Sequence, residues 1–265
     1  MSSATAPTDL EEFVEAPMAF TPPAPGSTVV SNTRFTLRAG LDGGRLSVQR
    51  VRLRDDEIDD ALEAARSFMR VTGGTAASWW LSEHSTPIDV EARLLERGLF
   101  IVEGDYLIDG LLLTSPPPPP PSGIDVHIVR NAEEFVAVVG AQDDAFGTPD
   151  SKRPDSGTLV EQYELERDSD AVALFGAWID GRVAGGGRAL FSSRGVFMAG
   201  GSTVPWARGR GVYRALVRAR WDAAAARGTP ALAVQAGAMS APILPRLGFE
   251  KVCSFRRLKD VLDGA

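Results

Sequence analysis

The second half of the chain alternates between short apolar runs and longer stretches in which apolar residues recur with helical spacing. The apolar runs predict strands at 125–129, 172–179, 182–191, 196–204 and 231–236. The pair Asp180-Gly181 separates two of these runs and is a strong hairpin signal. Helical spacing predicts a helix capped by Asn131, two helices over 157–167 and 212–226, and a short helix before a last strand at 251–258. The order is β-α-α-β-β-β-α-β-α-β.

The first half carries a similar but shorter pattern. It predicts a hairpin of strands 35–39 and 45–53 joined by the glycine-rich turn 40–44. Asp55 is predicted to cap a helix with apolar residues at Ile58, Leu62 and Ala65. A strand at 78–81, a helix at 88–97 and a strand at 99–112 follow. Trp79 and Trp80 alternate on a strand, so we expect one to face the core and one to face outward.

Composition divides the chain into four parts. Residues 1–28 are rich in Ser, Thr, Ala, Pro and Glu and are predicted to be a flexible tail. A first domain is expected over 29–113. Residues 114–123 contain six consecutive prolines, which are stiff and cannot join a sheet, so this stretch is predicted to be a linker. The second domain is expected over 124–262.

Charge and cysteine content limit the classes of function. The 265 residues carry a net charge of −7, which disfavours general binding to the phosphate backbone of nucleic acids. The single cysteine, Cys253, cannot form an intrachain disulfide, and no Cys/His spacing typical of a metal site is present. Neither a signal peptide nor a membrane helix is indicated, so a cytoplasmic location is expected by default.

The most informative stretch lies between the strand 196–204 and the helix 212–226. It contains Arg208-Gly209-Arg210-Gly211, in which the glycines permit a tight turn and close approach of a ligand. The helix that follows begins with unpaired N–H groups and the positive end of its dipole. A turn of this kind is suited to a phosphate or pyrophosphate, and it is not a Walker loop because no Gly-Lys-Ser/Thr follows.

This stretch resembles the coenzyme A motif of the GNAT (Gcn5-related) N-acetyltransferases, Arg/Gln-x-x-Gly-x-Gly/Ala between a strand and a helix. Arg208 and Gly211 match the motif, and Tyr213 stands at its last place. The later segment 240–250, with Leu247-Gly248-Phe249, is similar to the short helix and turn that close these domains. In the first half, 86–100 resembles the same ending without a counterpart of the arginine-glycine motif, so we expect a degenerate GNAT-like half that does not bind coenzyme A.

The resemblance implies an α+β fold, with a mostly antiparallel central sheet, one splayed pair of parallel strands and flanking helices. It implies acetyl-CoA as co-substrate and no metal. The pyrophosphate would lie on the turn, the pantetheine arm would pair with the preceding strand, and the Val204 N–H would stabilise the thioester oxygen. The residues expected to bind the coenzyme are Ser202, Thr203, Val204, Arg208, Gly209, Arg210, Gly211, Val212, Tyr213 and Ser240.

The chain departs from the family pattern at the positions that carry out proton transfer. Leu244 stands where a general-acid tyrosine is common, and Gly237 stands where an asparagine is common. The strand 194–204 contains no carboxylate to act as a base. Asp143, Asp144, Glu161 or a chain of waters could serve, so no catalytic residue is assigned.

The leading hypothesis is therefore an acetyl-CoA-dependent N-acetyltransferase that acts on the primary amine of a small molecule by direct attack. A non-catalytic acyl-CoA-binding or regulatory protein, or a protein N-acetyltransferase, are the alternatives. The expected partners are acetyl-CoA and an amine acceptor, without nucleic acid or membrane, and homodimer formation is left open.

Overall fold

The computed structural model describes residues 8–40, 46–102 and 106–262. The helices are α1 (Asp9–Glu15), α2 (Ile58–Val71), α3 (Val90–Glu96), α4 (Ala132–Phe146), α5 (Ser156–Glu166) and α6 (Val212–Ala226). The strands are β1 (Thr28–Ser31), β2 (Thr36–Ala39), β3 (Leu46–Gln49), β4 (Ala76–Ser82), β5 (Phe100–Ile101), β6 (Leu107–Leu113), β7 (Asp125–Ile128), β8 (Val172–Ile179), β9 (Arg182–Phe191), β10 (Val196–Thr203), β11 (Leu232–Ala236) and β12 (Glu250–Val261).

The chain forms two compact units, and the structure is α+β as predicted. One unit, called here the first unit, comprises the described residues of Met1–Leu112, Gln235–Ile243 and Glu250–Ala265. The second unit comprises Leu113–Val234 and Leu244–Phe249. The units differ from the boundaries 29–113 and 124–262 expected from composition, because the last strand of the chain belongs to the first unit.

The second unit is built on the strand order β11-β10-β9-β8-β7. Neighbours are antiparallel except for β10 and β11, which run parallel. Asp180 and Gly181 both adopt positive φ, 51° and 76°, between β8 and β9. Two such residues form the turn that matches the twist of a hairpin, so the predicted hairpin is confirmed.

Helices cover both faces of this sheet. Asn131 Oδ1 accepts the Glu134 N–H at 2.8 Å and caps α4 as predicted. Helix α4 buries Phe135 and Val138 in a cluster with residues of α5 and β8. A Cβ on Gly186 would meet Val138 of α4, whereas a Cβ on the neighbouring Gly187 would meet α6. Because successive strand residues point to opposite faces, α4 and α6 lie on opposite sides of the sheet.

The first unit contains the order β1-β2-β3-β4-β12-β6, with β5 also paired to β12. Strands β2 and β3 pair antiparallel from Thr36↔Gln49 to Arg38↔Ser47, although most of the predicted turn at 40–44 lies outside the described residues. Strands β3 and β4 run parallel and are connected through α2. Trp79 of β4 is fully buried and Trp80 is half-buried, which confirms their predicted alternation.

The last strand, β12, completes the first unit although its sequence follows the second half of the chain. It pairs antiparallel with β4 from Phe255↔Ser82 to Val261↔Ala76. Its other side pairs with β6 from Glu250↔Leu112 to Arg256↔Leu107. The expectation that the final strand belongs to a self-contained second domain was therefore wrong, because no local pattern identifies a partner so distant in sequence.

Two further expectations for the first half need correction. Helix α1 lies inside the predicted flexible tail, and a capping box between Thr8 and Glu11 starts it. Its Phe13 and Val14 are fully buried, so this segment is part of the folded unit. Asp55 does not cap α2, whose N-cap residue is Glu57; Asp55 instead pairs with Arg93 at 2.8 Å.

We expect residues 124–265 expressed alone to be insoluble or strongly destabilised. The fragment keeps β12 but removes β4 and β6, which leaves both edges of a twelve-residue strand unpaired and prone to aggregate. Co-expression of residues 1–123 as a separate chain should restore solubility. A soluble 124–265 fragment with the thermal unfolding midpoint of the full chain would contradict this expectation.

Candidate functional site

A β-bulge interrupts β10 and determines the geometry of the candidate site. Ala199 pairs with Arg188 and Ser202 pairs with Gly186, so Gly200 and Gly201 together oppose the single residue Gly187. Gly200 adopts φ 60°, the left-handed conformation that glycine tolerates best. This arrangement is a G1 bulge, which bends the strand and strengthens its local twist.

Side chains from both faces of the sheet support the bulge. Gln142 of α4 donates its side-chain N–H to the Gly200 carbonyl at 2.6 Å. On the other face, the guanidinium of Arg220 from α6 lies 2.8 Å (Nη1) from the point where a Cβ of Gly187 would stand. Arg220 also donates to the Arg188 carbonyl at 3.4 Å and to the Leu216 carbonyl of its own helix at 2.9 Å. The bulge is thus held by α4 and α6 together.

Beyond the bulge, β10 continues without its parallel neighbour. The β10–β11 ladder contains the pairs Val196↔Leu232 and Phe197↔Ala233, while β10 continues to Thr203. Ser202 is buried, and its hydroxyl has no hydrogen-bond partner among the described residues; the hydroxyl of Thr203 is in the same state. Unpaired polar groups at this end of β10 are consistent with the predicted opening between the parallel strands.

The turn between β10 and α6 presents several free N–H groups. Gly209 and Gly211 adopt φ 76° and 88°, and Gly211 is the N-cap residue of α6, with no side chain bonded to the cap. Within the described ranges, no acceptor is bonded to the N–H groups of Gly209, Gly211, Val212, Tyr213 or Arg214. These groups and the helix dipole make the turn a site for an anion.

Four arginines surround this turn. Arg182 and Arg210 lie over the ring of Trp206, at 4.4 and 5.7 Å from its centre. Arg208 donates to the carbonyls of Thr203 and Ala145, both at 3.4 Å. The Nη2 atom of the fourth, Arg214, lies 3.8 Å from the point where a Cβ of Gly211 would stand. In the part of the chain that the structure describes, none of the four pairs with a carboxylate, so their positive charge is available to a ligand.

The proline-rich linker packs against the same turn. The ring of Pro121 lies 2.5 Å from the position that a Cβ of Gly211 would occupy. Pro117 is buried, and its carbonyl accepts from Arg218 of α6 at 3.4 Å. Position 211 therefore requires glycine for two reasons, its positive φ and its contact with Pro121.

The structure brings nine of the ten predicted coenzyme residues together in the second unit. Ser202 and Thr203 end β10, Val204 follows, residues 208–211 form the turn, and Val212 and Tyr213 begin α6. Ser240 belongs to the first unit, where its hydroxyl donates to the Gly237 carbonyl at 3.5 Å. The Val204 N–H, the expected donor to the thioester oxygen, already donates to the Ala184 carbonyl at 3.0 Å.

Tyr213 fills the space that the motif usually leaves open. Its ring comes within 3.0 Å of the position of a Cβ on Gly201, so the absence of a side chain at Gly201 accommodates it. Burial raises the pKa of Tyr213 above its ordinary value of 10.0, and the positive charge of Arg220 opposes this shift. Tyr213 therefore stays protonated throughout the neutral range.

The structure places the remaining proton-transfer candidates as follows. Leu244 is fully buried, and as a leucine it supplies no hydroxyl for proton transfer. Asp144 pairs with Arg153 at 2.8 Å, Glu161 is exposed, and Asp143 is half-buried one residue after Gln142. Tyr163 is buried and donates its hydroxyl to the Arg130 carbonyl at 2.8 Å, which is a structural role.

The corresponding junction of the first unit has a carboxylate at its helix start. It lies between β3 and α2, where Glu57 accepts the Arg54 N–H at 2.9 Å and also pairs with the Arg54 guanidinium at 3.0 Å. Asp59 and Asp60 add negative charge to the first turn of α2. An internal carboxylate thus occupies the helix start, and repulsion would disfavour a pyrophosphate there.

Other features of the described residues do not add to the site. A cavity of about 430 Å³ in the second unit contains none of the ten predicted coenzyme residues and is lined by Gly123, Ile124, Asp125, His127, Glu134, Trp178, Asp180 and Gly181. His127 stacks on Trp178 with ring centres 4.0 Å apart.

Among the described side chains, no group of three or more His, Cys, Asp and Glu residues could hold a metal ion. No described helix has the length and apolar character to cross a membrane.

Sequence comparison alone does not place this chain in a family. No protein-family profile matches it, and no curated protein sequence does. Solved structures, in contrast, are similar over nearly the whole chain. A GCN5-related N-acetyltransferase from Kribbella flavida has a TM-score of 0.69 at 18% identity, covering 98% of both chains.

Two further solved structures agree. A GCN5-related N-acetyltransferase from Sphaerobacter thermophilus has a TM-score of 0.60 at 18% identity, covering 87% of this chain and 81% of the other. A tandem GNAT protein from the clavulanic acid biosynthesis pathway, solved without AcCoA, has a TM-score of 0.60 at 15% identity and covers 99% of this chain and 90% of its own. These likenesses and the arrangement around the bulge show that the chain has the fold of the GNAT N-acetyltransferases.

Proposed function

We propose that the second unit binds acetyl-CoA at the turn 208–213 and transfers the acetyl group to the primary amine of a small molecule. One observation carries this proposal: free backbone N–H groups and arginines without carboxylate partners converge on the turn that follows the bulged strand. Buried or clustered donors without acceptors favour an anionic ligand, and a pyrophosphate fits their number and charge.

The protein residues would act by binding and orientation. The turn holds the pyrophosphate, and the end of β10 offers unpaired polar groups, Ser202 and Thr203 among them, to the pantetheine arm. Coenzyme A supplies an activated acyl group on a thiol leaving group with a pKa of about 8.5, which departs without a strong general acid. The neutral amine attacks the thioester carbon directly, and its proton passes to solvent.

A non-catalytic acyl-CoA-binding protein is the alternative that a specific observation favours. Leu244 removes the hydroxyl that commonly protonates the thiolate, and the carboxylate Asp144 is already paired with Arg153. Release of free thiol from acetyl-CoA in the presence of a panel of amines separates the two functions. Turnover with any amine supports the enzyme, whereas binding without turnover supports the alternative. A protein substrate would appear as acetylation of peptides but not of small amines.

We propose in addition that the first unit does not bind a second coenzyme. Glu57 occupies the helix start that corresponds to the coenzyme turn, and no glycine stands between Gln49 and Ile58. Titration calorimetry with coenzyme A should therefore give one site per chain.

Arg210→Glu should weaken the binding of acetyl-CoA by about tenfold or more, because a charge-assisted hydrogen bond contributes about 1.5–3 kcal/mol and each 1.4 kcal/mol is tenfold. Arg210 is exposed and its guanidinium lies over the Trp206 ring, so the fold should tolerate the change. Gly211→Asp is a poorer test, because its Cβ would collide with Pro121. The measurement is the coenzyme-dependent rise of the thermal unfolding midpoint.

Arg167→Glu is the control for Arg210→Glu. It makes the same charge change at an exposed arginine whose partners are Glu164 and Asp168 at 3.2 and 3.3 Å, and coenzyme binding should stay as in the unaltered protein. Equal binding by the Arg210→Glu and Arg167→Glu variants would show that the pyrophosphate does not lie on the turn. Absence of any thermal shift at millimolar acetyl-CoA would refute the proposed function itself.

Tyr213→Phe should keep most of kcat, because burial raises the pKa of Tyr213 and the thiolate leaves without an acid. The rate of the unaltered enzyme should rise with pH as the acceptor amine loses its proton, with no falling limb near about pH 10. Were Tyr213 the acid, activity would be lost as the pH passed its raised pKa. Tyr163→Phe removes a structural hydroxyl and serves as the control.

A loss of about a hundredfold in kcat for Tyr213→Phe, with coenzyme binding unchanged and Tyr163→Phe active, would identify Tyr213 as the general acid and overturn this prediction.

A further inference from the structure

Arg220 is a fully buried cation without a negatively charged partner. Its exposed fraction is zero, and Nη2 has no hydrogen-bond partner in the described part of the chain. Its other nitrogens donate to the carbonyls of Leu216 and Arg188, at 2.9 and 3.4 Å. No carboxylate among the described residues pairs with it. Burial lowers the pKa of Arg220 to about 10, so the guanidinium keeps its charge at neutral pH.

An unpaired buried charge is costly, and the fold does not require one here. Removing an ion from water costs several kcal/mol, and an apolar side chain of similar volume is often neutral or stabilising at such a place. The neighbouring inward positions on α6 are apolar, as expected for a helix packed on a sheet; they include Val212, Leu216, Val217 and Trp221. The charge at 220 therefore points to an anion that the chain itself does not supply.

The guanidinium lies directly beneath the bulge of β10. Its Nη1 and Nη2 atoms are 2.8 and 3.6 Å from the positions where Cβ atoms of Gly187 and Gly201 would stand. Because both residues are glycines, no side chain at 187 or 201 lies between the guanidinium and the backbone of the bulge. Gly200 is exposed and Gly201 half-exposed, so the bulge is open to a ligand. Tyr213 covers Gly201 on the face of Arg220 and excludes water from the charge, which leaves its field less screened.

We propose that Arg220 stabilises negative charge on the acyl group of a thioester bound at the bulge. This inference rests on the proposed function. The Val204 N–H, which would be the expected donor to the thioester oxygen, is already bonded to the Ala184 carbonyl. Arg220 supplies the compensating field from beneath Gly187 and Gly201, fixed in place before the reaction by the carbonyls of Leu216 and Arg188.

The negative charge that Arg220 stabilises arises when the amine attacks the thioester. The amine nitrogen forms a bond to the thioester carbon, and the carbonyl π electrons move to oxygen, which becomes an oxyanion. When this oxyanion reforms the carbonyl, the carbon–sulfur bond breaks and its electron pair leaves on sulfur as a thiolate. The ammonium proton passes to water. Arg220 forms no bond in this sequence and acts as a preorganised positive charge.

The test compares two thioethers of coenzyme A that cannot react. S-carboxymethyl-coenzyme A carries a negative charge close to the position of the acyl oxygen, and S-ethyl-coenzyme A is its neutral counterpart. Calorimetry gives the ratio of their dissociation constants for the full-length protein and for Arg220→Met, Arg220→Gln and Arg220→Lys. Arg167→Met, at an exposed arginine of the second unit that pairs with Glu164 and Asp168, is the control.

We expect the unaltered protein to prefer the charged thioether by about tenfold or more. Arg220→Met and Arg220→Gln should remove this preference while S-ethyl-coenzyme A still binds, and Arg220→Lys and Arg167→Met should keep it. With a reactive amine, kcat should fall by about a hundredfold in Arg220→Met and much less in Arg220→Lys. Should Arg220→Met fail to fold, Arg220→Gln against Arg220→Lys decides the question.

An unchanged preference in a folded Arg220→Met or Arg220→Gln variant would overturn the inference while leaving the coenzyme site intact. The same holds if the unaltered protein binds both thioethers equally. If the unaltered protein binds neither thioether, the proposed function fails, and the role of Arg220 falls with it.

Discussion

The insertion of one extra residue into β10 is the constraint on which the rest of the site depends. The bulge at Gly200 and Gly201 opposite Gly187 requires a left-handed residue and two positions without a Cβ. It bends the strand, and Gln142 and Arg220 hold it from opposite faces. A 3₁₀ turn over Pro205–Ala207 connects the bent strand to the turn that begins α6, so the bulge sets the direction in which the chain enters this turn. Replacing any of these glycines would disturb the strand, the helix and the turn together.

Local chemistry made much of the second unit predictable. Asp180-Gly181 specified the turn between β8 and β9, and Asn131 specified the start of α4, because each acts through bonds within a few residues. The position of β12 could not be predicted in this way. Its residues alternate as in any strand, but its partners in β4 and β6 lie more than 130 residues away in sequence, and pairing between distant strands leaves no local signal. Helix α1 was missed because its polar composition outweighed its capping box.

The part of the candidate site that comes from one continuous stretch of sequence was predictable, whereas the residues that distant segments contribute were not. The Arg-Gly turn of 208–211 and the helix behind it carry their own pattern, and the structure places both in one unit. Gln142 and Arg182 belong to two other parts of the sequence and reach the site through the packing of strands and helices, whereas Arg220 lies on the helix behind the turn. Nothing beside them in the sequence marks them; an arginine among the inward positions of α6 was the one available signal for Arg220.

The contact between Pro121 and Gly211 couples two positions that are distant in sequence. The proline run has a fixed backbone and no internal hydrogen bonds, so Pro121 cannot shift without moving the segment anchored at Pro117 and Arg218. A larger residue at 211 is therefore compatible with the fold only where the linker is displaced or carries a smaller residue at 121. The linker sequence is thereby tied to the coenzyme turn. Among natural relatives of this chain, changes at 121 and 211 should be inherited together, although about ninety residues separate them.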